Sequence, residues 1–231
     1  RGGGRAAGAR GPGAEVGAIG DARRQGRPGI SKTSVLVGPS GPVGPRYDKM
    51  RLVPFGEYVP ARSLLGWATS VGRAANEDRH PGTRQVVMET SGGLRAGPLV
   101  CFETAFPDLS RRLARAGAGL IVAQSSTSTF QQSWAPAQHA SLAAVRAAES
   151  GRPVVHATLT GVSAVFDASG RAVGPRLGTD RSTAELYEVR PASGSTAYVR
   201  FGDWVVYAAV AWLLVAGGVA VARRVRGRGE S

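Results

Sequence analysis

The chain has 231 residues, with 29 Lys and Arg against 16 Asp and Glu, a formal net charge of +13 and a single Cys. With no glycine period, no heptad and no second cysteine, a collagen-like repeat, a coiled coil and a disulfide scaffold are excluded. The length and the 42% hydrophobic content suit one domain, or one domain with attachments.

Residues 1–32 hold seven basic residues, two acids and ten glycines, a net +5, with almost no large apolar side chain. Such a stretch buries too little apolar surface to offset the entropy of ordering it, so we expect it to be disordered, loosely docked or foreign to the domain. Between residues 33 and 203, short apolar runs alternate with amphipathic ones. Residues 35–37, 85–89, 98–101, 120–123, 154–157, 162–166 and 184–189 read as strands, being rich in β-branched residues and bounded by Gly, Pro or polar turns. Residues 108–116 read as a helix with Leu109 and Leu113 on one face and Gly117 at its C-terminal cap. Residues 136–150 read as a second helix, opened by Pro136 and closed before Gly151. Ala168-Ser169-Gly170-Arg171 reads as a turn between short strands. Strands mixed with helices in this order predict an α/β sandwich.

From Trp204 to Ala222 there are 19 uncharged, predominantly apolar residues, reaching about 28 Å at ~1.5 Å each, which predicts a transmembrane helix. Trp204 and Tyr207 fit an interfacial belt, and the basic tail 223–231 (Arg223, Arg224, Arg226, Arg228) predicts a cytoplasmic C-terminus with the preceding domain outside. No signal peptide is visible, so an external domain of this kind reads as the C-terminal part of something longer. The basic residues concentrate at the two ends rather than on one folded face between aromatics, which argues against nucleic-acid binding.

Candidate chemistry centres on Cys101, at the end of the apolar run Gly97-Pro98-Leu99-Val100 and just before the helix that begins near Asp108. A strand-to-helix elbow exposes a nucleophile and aims backbone N–H groups at the charge that develops when it attacks a carbonyl. Taken alone, a single cysteine is more often an inert small hydrophobe. A second segment, YDKMRLVPFGEYVP at 47–60, is shaped by its prolines and glycine, and a buried Lys49 there can lower the pKa of a neighbouring thiol and donate to an oxyanion.

YDKMRLVPFGEYVP, VCFETAFPD around the cysteine, AGAGLIVAQSS, AQHASLAAVRAAESGRPVVHAT and GVSAVFDASGRAV together closely resemble the apolipoprotein N-acyltransferases. These are membrane members of the nitrilase, or carbon–nitrogen hydrolase, superfamily, and the resemblance covers roughly residues 33–228. It implies a partial nitrilase-like α-β-β-α sandwich followed by one C-terminal transmembrane helix, divided as 1–32, 33–203, 204–222 and 223–231. It further implies acyl transfer, through a cysteine thioester, from a phospholipid donor to the α-amino group of a diacylglyceryl-cysteine on an apolipoprotein acceptor. The implied location is the outer face of the bacterial cytoplasmic membrane, with no cofactor and no metal. By this resemblance Cys101 is the nucleophile and Lys49 the catalytic lysine, Glu57 orients Lys49 and the attacking group, and Glu103 holds the elbow; the bland reading of both glutamates is a surface or salt-bridged carboxylate.

The sequence departs from the family in places. The upstream Pro-Glu motif that would carry the general base is absent, and Glu15 has the wrong surroundings, so we expect a truncated or mis-started chain with little turnover by itself. Phe102 replaces a common Tyr, and residues 124–130 replace the usual substrate-contact pattern. His80, His139 and His156 show no metal-ligand spacing and read as structural or exposed. Two other readings stand beside the acyltransferase: a soluble-type nitrilase-family amidase, and a non-catalytic membrane-anchored binding module.

Overall fold

The computed structural model describes residues 16–23, 29–61, 63, 79–130 and 132–228. Strands β1 (Val16–Arg23), β2 (Ile30–Gly38) and β3 (Gly41–Asp48) form an antiparallel meander. β1 pairs with β2 from Val16 opposite Val37 to Arg23 opposite Ile30. The glycines expected to leave residues 1–32 without structure therefore do not do so at Val16–Arg23 and Ile30–Lys32, because a continuous ladder onto β2 supplies the backbone partners that the apolar content does not. The rest of that expectation, at residues 1–15 and 24–28, lies outside the described residues.

A second sheet has the order β4 (Met88–Glu89), β5 (Arg95–Val100), β6 (Leu120–Ser125), β7 (Val154–Thr158), β8 (Ala164–Phe166). Its three central strands are parallel, and β4 and β8 pair antiparallel at its edges. Parallel neighbours need crossovers, supplied by α1 (Pro107–Arg115) and α2 (Ala135–Ser150). On β5 the consecutive Leu99 and Val100 are both fully buried, which is the mark of a strand covered on both faces. Leu99 packs with Leu109, Leu113, Ile121, Ala143, Ala147 and Phe166 under the helices. Val100 turns to the other face and packs with Leu36, Tyr47, Val86 and Met88 between the sheets. Ser34 Oγ donates to Gln124 Oε1 at 2.6 Å, tying β2 to β6. The layers among the described residues are thus helix, sheet, sheet, within the α/β class expected.

Both crossover helices follow from their sequences. α1 opens at Pro107 and closes on Gly117 at φ 83°, with Ala118 N–H donating to Leu113 O and Gly117 N–H to Ala114 O, a Schellman close. Its Leu109 and Leu113 are wholly buried, about 1.5–3 kcal/mol each. Gly97 admits that face: a Cβ there would lie 2.8 Å from a Leu113 methyl. α2 buries Ala140, Ala143 and Ala147, whose small side chains let it lie close to the sheet, and ends on left-handed Gly151. The turn at 168–171 is built on Asp167, whose carboxylate accepts from Ser169 N–H and Arg171 N–H.

No strand forms at 184–189; that segment pairs with no sheet, so its alternation of apolar residues has no ladder to join. Beyond it come α3 (Ala197–Phe201), capped by Thr196, and α4 (Trp204–Arg228). Arg111 fixes α3 to α1 through the carbonyls of Tyr198 and Val199. α4 occupies the expected transmembrane segment, yet among the described residues no helix is long and apolar enough to cross a membrane.

Candidate active site

Because β5, β6 and β7 are parallel, their carboxyl ends meet at one edge of the sheet, the place where α/β folds collect their functional groups. Cys101 is the first residue past β5. It starts a 3-10 turn, Cys101–Ala105, and holds φ at 51°, a left-handed conformation that costs an ordinary side chain about 1–2 kcal/mol. The turn from strand to helix is therefore sharp, as the sequence predicts, and the side chain of Cys101 is half-buried.

Glu103 holds that turn in place. Its side chain is completely buried, and its carboxylate accepts four hydrogen bonds: from Tyr47 Oη at 2.7 Å, Met50 N–H at 2.7 Å, Arg51 N–H at 3.1 Å and Val100 N–H at 2.8 Å. Burial pushes its pKa above the ordinary carboxylate value against the pull of these donors. Burial and the Glu103 charge raise the Tyr47 phenol, which keeps it a donor. One carboxylate thereby joins the strand end, the elbow and the start of the 49–58 loop. Arg51 adds a second tie, with its guanidinium 5.1 Å from the Phe106 ring centre and 3.1 Å from Asp108. Phe102 packs edge-on against Phe106 at 5.0 Å.

Lys49 is 1% exposed, and its Nζ lies 2.7 Å from Glu57 Oε2. That oxygen also accepts from Val53 N–H, so the glutamate shapes the loop while it pairs the lysine. The backbone of Lys49 is pinned on both sides, its N–H donating to Lys32 O and its carbonyl accepting from Gly82 N–H. Gly82 is required there, because a Cβ would fall 2.0 Å from Asp48 O.

His139, on α2, completes the group. Its Nε2 lies 3.0 Å from the carbonyl oxygen of Cys101, and its Nδ1 lies 2.7 Å from Nε2 of His156 on β7. His156 Nδ1 in turn meets Val162 O at 3.0 Å. Burial lowers the pKa of both rings, that of His156 to about 4; the Lys49 charge adds to the effect on His139. The four predicted residues, Cys101, Lys49, Glu57 and Glu103, are thus brought to one place. His156 is buried and His139 half-buried beside them, where the sequence alone gave them structural or exposed roles. His80 is exposed and apart. The loops after β6 and β7 are joined by Ser126 and Thr127 to Thr160, and they carry the exposed apolar side chains Phe130, Trp134 and Leu159.

The described residues thus place a cysteine-bearing elbow beside a buried lysine and two glutamates at the carboxyl end of a parallel β-strand. The sequence matches the carbon–nitrogen hydrolase family over residues 9–189, and the chain belongs to that family. The match begins inside the segment expected to be foreign to the domain. The particular kinship is with apolipoprotein N-acyltransferases: that of Geobacter metallireducens is 38% identical over 194 residues, covering 83% of this chain and 36% of the relative. That of Synechocystis sp. is 33% identical over 195 residues, covering 80% and 36%. The chain thus spans about a third of the length of these relatives. In fold it is similar to an amidase from Nesterenkonia sp. AN1 (TM-score 0.52, 23% identity, 72% of this chain and 58% of that one). It is similar also to Nit3 of Saccharomyces cerevisiae (TM-score 0.53, 23% identity, 71% and 55%).

Proposed function

We propose that this chain carries the acyl-transfer site of an apolipoprotein N-acyltransferase, with Cys101 as nucleophile and Lys49 as the group that stabilises the developing oxyanion. The observation that carries the reading is the buried Lys49–Glu57 pair and the Glu103-bound elbow, converging at the carboxyl end of β5 in a chain whose relatives bear that name. In the first half-reaction the Cys101 sulfur attacks the ester carbonyl of a phospholipid. The tetrahedral oxyanion collapses to a thioester and expels the lysophospholipid alkoxide, which takes up the proton lost by the thiol. In the second, the α-amine of a diacylglyceryl-cysteine attacks the thioester, the carbon–sulfur bond breaks as the amide forms, and the leaving thiolate takes up the proton the amine gives up.

Each residue has a task in this scheme. Lys49 Nζ, held at 2.7 Å by Glu57, supplies a fixed positive charge in a site poor in water, where such a charge acts more strongly than in bulk. Glu57 is the positioning residue for that charge. Glu103 spends its hydrogen-bonding capacity on four donors, so it positions the elbow rather than moving protons.

Membrane placement belongs to the same proposal. Phe130, Trp134 and Leu159 are 59%, 71% and 73% exposed on loops at the same sheet edge as Cys101, where an acyl chain would approach. α4 leaves Val205, Val210, Trp212, Leu213, Leu214 and Val215 exposed around its circumference, and its backbone stays helical to Arg228. An aqueous helix does not expose all its faces in this way. We propose that the domain works at a bacterial membrane surface, with α4 and these loops as its apolar contacts. A small-amide hydrolase has no need of this apolar display, which favours a lipid donor over water-driven amide hydrolysis.

The test is thioester formation. Full-length chain in detergent is incubated with an alkyne-labelled acyl phospholipid, beside Cys101→Ala and Lys49→Ala variants, and hydroxylamine-sensitive label is counted. Label on the unaltered chain that disappears in both variants is expected. Label that survives Cys101→Ala overturns the assignment.

A further inference from the structure

The His139–His156 pair, half-buried at His139 and fully buried at His156, lies against the backbone of Cys101 and is not used by the scheme above. We infer that the two rings hold one shared extra proton, and that in this state they brace the carbonyl of Cys101 as a positioning pair. The argument is a count of hydrogens. A carbonyl oxygen only accepts, so the 3.0 Å contact to Val162 O requires a hydrogen on His156 Nδ1. The 3.0 Å contact to Cys101 O likewise requires one on His139 Nε2. The two remaining nitrogens, His139 Nδ1 and His156 Nε2, face each other at 2.7 Å. With both rings neutral, each would present a lone pair to the other. One added proton turns that repulsion into an N–H···N bond and completes an unbroken chain from Val162 O to Cys101 O.

The surroundings place that proton and limit it. It resides on His139, the less buried of the two rings, where a charge is better solvated, while His156 is 1% exposed. Among the described residues the charge that acts on His139 is Lys49, just past β3 and itself paired with Glu57, and Cys101 meets the ring through its backbone carbonyl. Lys49 and burial oppose the extra proton, and Glu57 offsets part of the Lys49 charge. The pair therefore takes up its proton below the ordinary histidine range and releases it as pH rises. After release the pair has two N–H groups for three contacts, so the bond to Val162 O, the bond between the rings or the His139 N–H donated to Cys101 O is given up. Cys101 sits at φ 51° and depends on its neighbours to stay there, so losing that donor loosens the elbow.

This inference deepens the proposed function, resting on it only for the use made of the elbow; the protonation state is read without any reaction. Full-length chain labelled with ¹⁵N-histidine is followed by NMR from pH 8 to pH 5 in detergent, with exposed His80 as the reference ring. At the acidic end three of the four nitrogens of the pair are expected in the N–H range and one in the lone-pair range, reached in a single coupled step. Two neutral rings throughout overturn the inference, and so do two rings that titrate independently. The second measurement is the pH profile of iodoacetamide alkylation at Cys101. An inflexion at the NMR midpoint is expected in the unaltered chain. It should vanish in His139→Gln, whose side-chain amide keeps a donor at the Nε2 position without titrating, while reactivity is retained. Equal inflexions in the unaltered chain and His139→Gln overturn the inference. Failure to form thioester with the NMR result intact would sink the acyl-transfer reading alone.

Discussion

Replacing Glu103 with Gln tests the idea that one carboxylate welds the elbow to the lysine loop. The four donors on Glu103 come from both sides: Tyr47, Met50 and Arg51 at Oε1, and Val100 at Oε2. A glutamine has one acceptor oxygen. If that oxygen keeps the three-donor side, its NH₂ confronts Val100 N–H, donor against donor, in a place with no exposure to water. The loss of one charge-assisted bond is about 1.5–3 kcal/mol, and the stranded Val100 N–H adds about 1–3 kcal/mol. Relief of the carboxylate's own desolvation, seen in its raised pKa, returns part of this. A net destabilisation of about 3 kcal/mol is expected, which for a chain of this size lowers the melting temperature by roughly 6–12 °C. Thermal unfolding of full-length chain in detergent by circular dichroism reads it directly. Iodoacetamide trapping at Cys101 should slow in the same variant, because Val100 N–H and the elbow lose their anchor. A melt within about 2 °C of the unaltered chain would refute the reasoning, since it would mean that the four contacts carry no net free energy.

Lys49→Met should cost about 3 kcal/mol by leaving Glu57 charged and unpaired in a partly buried site, and should abolish acyl labelling; Lys49→Met with Glu57→Gln should recover stability in urea unfolding but not labelling. Cys101→Gly should be more stable than Cys101→Ala by about 1 kcal/mol, because φ of 51° strains any residue with a Cβ, and equal urea midpoints would remove strain from the description of the elbow. His156, neutral in the fold until about pH 4, is depressed from a reference of 6.5. Between those values the unfolded chain binds the additional proton, so stability should fall as pH drops through that window, by up to about 3 kcal/mol, and rise again toward neutrality. His156→Gln should flatten that dependence in melts taken from pH 7 to pH 4.

Much of the site was written locally. The 47–60 segment carries its own turn chemistry, and Lys49 and Glu57, eight residues apart, meet because the Pro54–Tyr58 loop folds back on itself. The elbow at Cys101 follows from an apolar strand running into a helix opened by Pro107, and the caps at Gly117 and Gly151 follow from adjacent residues. Such features depend on contacts a few residues apart, which a sequence displays openly.

Other features depended on partners far away in the chain, and only the tertiary structure supplied them. Val16–Arg23 is poor in apolar side chains and becomes a strand because β2 lies beside it. The apolar alternation at 184–189 reads as a strand and is not one, because no edge is offered to it. Glu103 is legible as a residue near the nucleophile, but its bonds to Met50 and Arg51 span more than fifty positions. His139 and His156 lie in the family-like segment 137–158 but show no ligand spacing, and their joint position beside Cys101 exists only once α2 crosses over to β7. Local motifs, and the family resemblance they carry, pointed to the chemistry-bearing residues and their loops. Packing of two sheets and a helix layer decided which buried polar groups face one another, and so where protons and charge reside.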